Sequence, residues 1–244
     1  MRTIRLYVDT ALQAGSQLAL PDAAADHALR VLRLRTGDAL TLFNGDGCDY
    51  ACIIEHSDRR SARVRVNACT EVGNESPLTL TLVQAVARGE KMDWIVQKAT
   101  ELGIARIVPV LSERSEVRLD ARRADKRLDH WRAVAASACE QSGRARLPLM
   151  EPLRPLDEWI TAQAGQDTQR LVLSPDSGAR LAERAWVSAR ASVAVGPEGG
   201  WSQRDLSTLQ GAGFETLQLG PRVLRTETAG LAAIAAMQAL HGDL

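Results

Sequence analysis

The sequence predicts an α/β fold in which a small β-rich domain precedes a larger domain built on a parallel sheet. Two observations carry this prediction. Residues 1–72 contain short strands and tight turns, whereas from residue 78 onward apolar strands alternate with helices. Such alternation is typical of a largely parallel sheet that helices cover on both faces. The polar segment Glu71–Pro77, with glycine and proline, is predicted to be a linker, so we place the domains at 1–72 and 73–244.

The first domain is predicted from its strands and turns. Asp26–Leu34 has the pattern of a short helix, and the strand Ala39–Phe43 follows it. Asn44–Gly47 is a strong hairpin signal, because asparagine and glycine accept the positive φ angles of tight turns. Tyr50–Glu55 and Ala62–Val66 continue as strands, so a small barrel or sandwich is expected.

The second domain is predicted to alternate strands and helices to the end of the chain. Its predicted strands are Leu78–Ala87, Arg106–Leu111, Arg170–Ser174, Ala191–Gly196 and Thr216–Gly220. Its predicted helices are Met92–Leu102, Asp125–Gln141, Leu156–Gln163, Gln203–Ala212 and Thr228–His241. Ligands of such folds bind at the carboxyl ends of the strands. The loops that follow the last two strands are therefore the candidate site.

Composition argues against several classes of protein. The 244 residues carry 30 basic and 30 acidic side chains, so the net charge of zero gives no sign of a nucleic-acid binder. No apolar run reaches the roughly 18 residues of a membrane span. The charged start lacks the apolar segment of a signal peptide, so a cytoplasmic protein is expected. The cysteines and histidines show no metal-ligand spacing, so no metal is expected.

The first candidate loop, Val195–Ser202, follows a strand of buried character and contains three glycines within five residues. Glycines permit a positive φ and a close approach of the backbone to a ligand. Ser202 and Asp205 are expected to form a capping pair that opens the next helix. The loop matches neither the dinucleotide-binding nor the Walker pattern, and a purely structural turn is the alternative.

The second candidate loop, Leu219–Ala229, starts with a Gly-Pro turn and leads into an alanine-rich apolar helix. Thr226 or Thr228 is expected to cap that helix. Two charged residues, Arg225 and Glu227, stand at the N-terminal end of this apolar helix. Such charges are unusual there, and they favour a functional site. In the structural alternative, Glu227 interacts with the helix dipole and Arg225 merely pairs with it.

The two loops resemble the last two conserved motifs of the SPOUT class of RNA methyltransferases. The sequences of Gly196–Gly200 and Leu219–Ala229 are similar to those of the RsmE family in particular. The resemblance spans nearly the whole chain and extends to further stretches, Lys91–Gly103, Ser112–Ser115, Glu140–Arg144 and, for the family's N-terminal PUA-like barrel, His27–Arg33 with Gly37 and Asp38. Trp94 and Trp201 are minor departures, because smaller or other apolar residues are common there.

The resemblance implies a trefoil-knotted SPOUT domain, a PUA-like N-terminal domain and S-adenosylmethionine (SAM) as cofactor. Main-chain groups would hold most of the cofactor, and the apolar Leu219, Val223 and Leu224 would enclose its adenine. The residues expected in this pocket are Leu173, Ser174, Val195, Gly196, Pro197, Gly200, Leu219, Gly220, Val223, Leu224 and Ala229. The implied reaction is methylation of uridine N3 in small-subunit ribosomal RNA, with another RNA position, a transfer-RNA base or a ribose 2′-oxygen, as the alternative.

Uridine N3 becomes nucleophilic only when its proton leaves, and the resulting negative charge spreads onto the flanking carbonyl oxygens. We expect Arg225 to stabilise that charge and Glu227 or Glu198 to accept the proton or position the base. For Glu198 the alternative is a helix-entry residue that binds backbone amides. The resemblance makes Arg30, Arg33 and Arg35 candidate RNA contacts. Arg114 is a fourth, although the charged stretch that it opens also fits a solvated helix.

The implied partners are small-subunit ribosomal RNA, naked or in the assembled subunit, and a second copy of the chain. A homodimer is expected because the helix Ala229–Leu240 is apolar around most of its circumference, and SPOUT enzymes pair through this region. Two rival functions are an RNA-binding protein with a SAM-free knotted scaffold and a nicotinamide-dependent dehydrogenase. The intact glycine loops disfavour the first, and the missing dinucleotide fingerprint disfavours the second.

Overall fold

The structure, a computed structural model, describes residues 4–116, 121–162, 169–176 and 179–244. The chain divides into two compact units. The first consists of Met1–Glu75 together with Ala136–Leu147, and the second of Ser76–Ala135 together with Pro148–Leu244. A segment that is distant in sequence therefore completes the first unit.

The strands of the first unit are β1 (Arg5–Tyr7), β2 (Gln17–Ala19), β3 (Ala39–Phe43), β4 (Cys48–Ser57) and β5 (Ala62–Glu71). They form one sheet in the order β1-β3-β4-β5-β2, in which only the β1–β3 pair is parallel among the described residues. Along β5, Ala62, Val64 and Val66 are buried while Arg63 and Arg65 between them are exposed. This alternation turns one face of the sheet toward the core of the unit.

The helical part of the first unit differs from the prediction. An α-helix, α1 (Asp22–Asp26), follows Pro21, and a π-helical turn over His27–Val31 continues it. Arg33 then has a left-handed backbone with a φ of 58°. The predicted helix Asp26–Leu34 is therefore wrong at both ends. Proline favours the start of a helix, and a residue with positive φ cannot continue one.

The second unit is built on a parallel sheet. Its strands among the described residues are β6 (Thr79–Ala85), β7 (Arg106–Leu111), β8 (Leu149–Met150), β9 (Arg154–Pro155), β10 (Gln169–Leu173), β11 (Ala179–Arg180), β12 (Arg190–Val195) and β13 (Glu215–Gln218). The order is β11-β13-β10-β12-β6-β7-β8, and β9 pairs with β7. Each of these pairs is parallel, as the alternation of strands and helices predicted.

Helices cover both faces of this sheet, as predicted. They are α2 (Lys91–Glu101), α3 (Ala121–Ser142, up to Ala135 in this unit), α4 (Leu156–Ala162), α5 (Gln203–Gly211) and α6 (Thr226–His241). Leu82 of β6 packs in one apolar cluster with residues of α2 and α6. The next residue, Val83, packs on the opposite face with residues of α4 and α5. The two clusters are the core of the unit.

The topology determines where the site lies. Strand β10 lies between β12 and β13, and all three are parallel. Their carboxyl ends therefore meet at one edge of the sheet, where the chain leaves in the loops 174–176, 196–202 and 219–225. This is the edge at which parallel sheets bind ligands. Within the described ranges, no helix is long and apolar enough to cross a membrane.

Candidate active site

A cavity of about 650 Å³ lies at the carboxyl ends of β10, β12 and β13. This volume falls within the range of roughly 300–1,000 Å³ that is typical of cofactor sites. All of the residues predicted for catalysis or cofactor binding line it: Leu173, Ser174, Val195, Gly196, Pro197, Glu198, Gly200, Leu219, Gly220, Val223, Leu224, Arg225, Glu227 and Ala229. The structure therefore gathers residues from three loops into one site.

One glycine in each of the two loops shapes the backbone around the cavity. A Cβ atom on Gly196 would lie 3.1 Å from the backbone nitrogen of Trp201, so the first loop is folded too tightly for a side chain. Gly220 has a φ of 137°, and a Cβ atom built on it would meet nothing within 4 Å. Because Gly220 lines the cavity, a side chain at this position would project into open space. Gly196 therefore serves the tight turn of the first loop, and Gly220 leaves the backbone of the second loop open to a ligand.

Thr226, at the start of α6, ties the two loops to each other. Its hydroxyl donates a hydrogen bond of 2.6 Å to the carbonyl oxygen of Gly196 and accepts one of 3.0 Å from Nε2 of Gln84. The expectation that Thr226 or Thr228 caps α6 is wrong. Arg225 occupies the N-cap position, and its side chain makes no capping hydrogen bond. The hydroxyl oxygen of Thr226 is instead used by the buried Gln84 of β6, and its proton points to the loop carbonyl of Gly196.

An ion-pair cluster stands at the edge of the cavity. Nζ of Lys91 lies 2.9 Å from Oε1 of Glu198 and 3.6 Å from Oε2 of Glu227. Oε1 of Glu198 also accepts a hydrogen bond of 3.0 Å from the backbone N–H of Arg88. Oε2 of Glu227 is buried and has no hydrogen-bond partner among the described residues. The two carboxylates therefore differ: Glu198 is anchored by short hydrogen bonds, whereas Oε2 of Glu227 meets Lys91 only at ion-pair distance.

The protonation of Glu198 follows from these contacts. Burial works to raise the pKa of Glu198, but hydrogen bonds from Lys91 and from backbone N–H groups outweigh it and hold the pKa below its ordinary value. The same hydrogen bond to Glu198 raises the pKa of Lys91. At neutral pH both groups are charged. A carboxylate with a lowered pKa is a weak base, so the helix-entry alternative, in which Glu198 binds a backbone amide, agrees with its contacts.

Arg225 has a fixed backbone and an exposed side chain. Its carbonyl oxygen accepts hydrogen bonds from the N–H groups of Thr228 at 2.9 Å and Ala229 at 2.8 Å, which holds it on the first turn of α6. Within the described part of the chain, no ion pair joins Arg225 to Glu227, and the cation beside Glu227 is Lys91. The structural alternative, in which Arg225 exists to pair with Glu227, therefore finds no support.

The four candidate RNA contacts lie in different surroundings. Nη1 of Arg114 donates a hydrogen bond of 3.0 Å to the carbonyl oxygen of Gly199, so this residue borders the cavity. Arg30, Arg33 and Arg35 are exposed in the first unit. Arg30 is paired with Asp26 at 3.0 Å. Arg33 and Arg35 form no ion pair among the described residues, so their positive charge is more available to RNA than that of Arg30.

Sequence analysis missed three features of the site. It did not assign Lys91 a role, although this residue stands in a stretch that resembled a family motif. It gave Thr226 the wrong partner, and it did not single out Arg222, which also lines the cavity. These roles depend on contacts with loops that are distant in sequence, so they become visible only in the structure. Among the described residues, no group of three histidine, cysteine or acidic side chains is arranged to hold a metal ion.

Comparison with known proteins places these features in a family. A family model described as an RNA methyltransferase domain matches residues 74–238, and one described as an RNA methyltransferase PUA domain matches residues 20–67. The ribosomal RNA small subunit methyltransferase E of Bacillus subtilis is 30% identical, over 89% of this chain and 89% of the relative. The protein of the same name from Mycobacterium bovis is 33% identical, over 98% and 93%.

A solved structure is similar over almost the entire length. It is the ribosomal RNA small subunit methyltransferase E of Neisseria gonorrhoeae bound to S-adenosyl methionine. The two chains are 40% identical and superpose with a TM-score of 0.94, over 99% of each. The predicted PUA-like first domain and methyltransferase second domain agree with these matches.

Proposed function

This chain belongs to the family of ribosomal RNA small subunit methyltransferase E, the RsmE family, and we propose that it methylates N3 of one uridine in small-subunit ribosomal RNA with SAM as the methyl donor. The observation that carries the proposal is the cavity at the carboxyl ends of β10, β12 and β13. It combines two glycine-containing loops with an exposed arginine and a carboxylate, Glu227, whose buried Oε2 makes no hydrogen bond with the described residues.

The residues of the cavity fit this cofactor. Gly220 leaves backbone open to a ligand, and Leu219, Leu224 and Ala229 supply apolar surface for an adenine ring. When bound, SAM supplies a methyl group that is activated by its sulfonium leaving group, so the protein has to supply position and charge. We further propose that the two loops form the trefoil knot that the resemblance implies.

In the proposed mechanism Glu227 accepts the N3 proton of the uridine, because its buried Oε2 makes no hydrogen bond with the described residues and lies 3.6 Å from Lys91, farther than Oε1 of Glu198 at 2.9 Å. Arg225 donates hydrogen bonds to a carbonyl oxygen that flanks N3 and stabilises the negative charge there. Lys91 balances the charge of Glu198 and lies near Glu227. With its proton gone, N3 has a lone pair that would take the methyl group as the carbon–sulfur bond of the sulfonium breaks and S-adenosylhomocysteine leaves. The test is methyl transfer to isolated small ribosomal subunits followed by mapping of the product.

We propose the functions that the sequence predicts for the two domains. Residues 1–72 help to bind RNA, above all through Arg33 and Arg35, and residues 73–244 catalyse methyl transfer. The substrate is proposed to be ribosomal RNA, either naked or in the assembled subunit. A protein that acts on ribosomal RNA in bacteria works in the cytoplasm, and we propose that location.

We propose that the chain forms a homodimer through α6. Buried residues of α6 within one chain are Thr226, Gly230, Ala233, Ile234, Met237 and Gln238. Ala239 and Leu240 are exposed, Leu240 by 51%, although an apolar helix is most stable when its other faces are covered. Light scattering at micromolar concentration is expected to give about twice the 26.4 kDa mass of one chain. A mass near that of one chain would contradict the proposal.

A further inference from the structure

We propose that Arg222, at the tip of the second loop, binds a phosphate of the RNA strand beside the target nucleotide. This inference rests on the proposed function, because it names how the same site holds its substrate. Arg222 lines the mouth of the cavity and is exposed. Its neighbour Val223 is 80% exposed. The tip of the loop therefore faces solvent at the entrance, where a large substrate has to pass.

Val223 shows how open the tip of the loop is. It lines the cavity but is 80% exposed, so its contact with an adenine stays a prediction. The less exposed Leu219, Leu224 and Ala229 also line the cavity. Arg222 and Val223 stand at the entrance, where a partner larger than the cofactor would meet them.

The charges around the entrance favour a polyanion at this tip. Arg88 is paired with Glu116, and Lys91 is paired with Glu198. In contrast, Arg222 forms no ion pair within the described ranges although it lines the same cavity, so no carboxylate there offsets its charge. The chain as a whole has no net charge, so attraction for RNA has to come from such local groups. Arginine is well suited to this role because its planar fork matches a phosphate.

The spacing along the loop fits one nucleotide and its phosphate. Arg222 precedes Arg225 by three residues, so their Cα atoms lie within about 11 Å of each other even if the chain is fully extended. Arg225 is the residue proposed to act on the base. An arginine at this separation can reach the backbone of the same nucleotide or of its neighbour. Arg222 would thus position the strand, while Arg225 acts on the reacting atoms.

The test compares Arg222→Gln with a matched control, Arg190→Gln. Arg190 is also exposed and lies in the same unit, but it starts β12, at the end of the strand opposite the cavity. The substrate is small ribosomal subunits from cells that lack the gene for this chain. Methyl transfer in a single turnover is measured against subunit concentration at several salt concentrations, and subunit binding is also measured without SAM.

For Arg222→Gln we expect half-saturation at about fivefold higher subunit concentration, the effect of one exposed charge-assisted contact. The dependence of log affinity on log salt should weaken by about 0.7, as for one lost contact with a single-stranded phosphate. SAM affinity and the rate at saturation should stay within about twofold of the unsubstituted protein. Arg190→Gln should change none of these quantities.

Three results would overturn the inference. If Arg222→Gln has the same half-saturation and the same salt dependence as Arg190→Gln, Arg222 does not contact RNA. A loss of SAM affinity would assign the residue to the cofactor pocket. A halved mass in light scattering would assign it to contact with a second copy of the chain. If the unsubstituted protein binds subunits but transfers no methyl group, the proposed function fails, while the binding measurement without SAM still decides the role of Arg222.

Discussion

Arg225→Ala is expected to bind SAM nearly as tightly as the unsubstituted protein and to methylate ribosomal RNA at least about a hundredfold more slowly, the typical cost of one lost electrostatic donor. The reason is the stage of the reaction at which Arg225 acts. Negative charge appears on the uridine carbonyl oxygens only as the N3 proton leaves, so an exposed guanidinium contributes to the transition state and little to the bound cofactor. Single-turnover kinetics with pre-bound SAM measures this step.

Two further measurements sharpen this prediction. Arg225→Lys should restore little activity, because an ammonium group cannot reproduce the planar fork of the guanidinium. Raising the pH should partly compensate for the loss, since hydroxide then helps to remove the N3 proton. If Arg225 were instead a structural group that holds the loop shut, the alanine variant would lose SAM affinity and melt at a lower temperature. A normal rate in the alanine variant would remove Arg225 from the mechanism.

Gly220→Val is expected to weaken SAM binding by on the order of a hundredfold or more while the protein stays folded, since forcing side-chain atoms into an occupied site typically costs up to about 3 kcal/mol. Gly220 lines the cavity, and its missing side chain would meet nothing of the protein within 4 Å. The valine would therefore project into the space that the cofactor needs. Calorimetric titration with SAM measures the effect.

The control for Gly220→Val is Gly213→Val. Gly213 also has a positive φ, 83°, and a Cβ atom there would also meet nothing within 4 Å, but it follows α5 and does not line the cavity. Both variants place a β-branched residue at a positive φ, which strains the backbone by about 1–3 kcal/mol. Only Gly220→Val should lose SAM affinity. An equal loss in both variants would mean that strain rather than occupied space is the cause, and unchanged affinity in both would mean that the pocket is misplaced.

Much of the fold is predictable because its signals are local. The hairpin turn Asn44–Gly47 does join β3 to β4, and Gly45 and Gly47 have positive φ angles of 93° and 99°. Ser202 and Asp205 do form a capping box, with hydrogen bonds of 3.0 and 3.2 Å between each side chain and the other's backbone N–H. Each of these features depends on residues only a few positions apart.

The features that sequence analysis missed depend on distant residues. Thr226 does not cap the helix: its hydroxyl accepts a hydrogen bond from Gln84 and donates one to the carbonyl of Gly196, thirty positions earlier. Lys91 joins the site because β6 leads into α2 next to the loop that holds Glu198. Short strands such as β8 and β11 carry no periodic signal of their own, since two residues cannot show a pattern. The hydrogen bond, the ion pair and the short strands are all determined by tertiary contacts and not by local propensity.

The most direct test of the account is a mass-spectrometric map of modified nucleosides in small-subunit ribosomal RNA from cells that lack the gene for this chain. The account predicts the loss of N3-methyluridine at a single position. Expression of the unsubstituted protein should restore that modification, and expression of Arg225→Ala should not. Retention of every N3-methyluridine in the deletion strain, or the loss instead of a transfer-RNA base methylation or a ribose 2′-O-methyl group, would contradict the account.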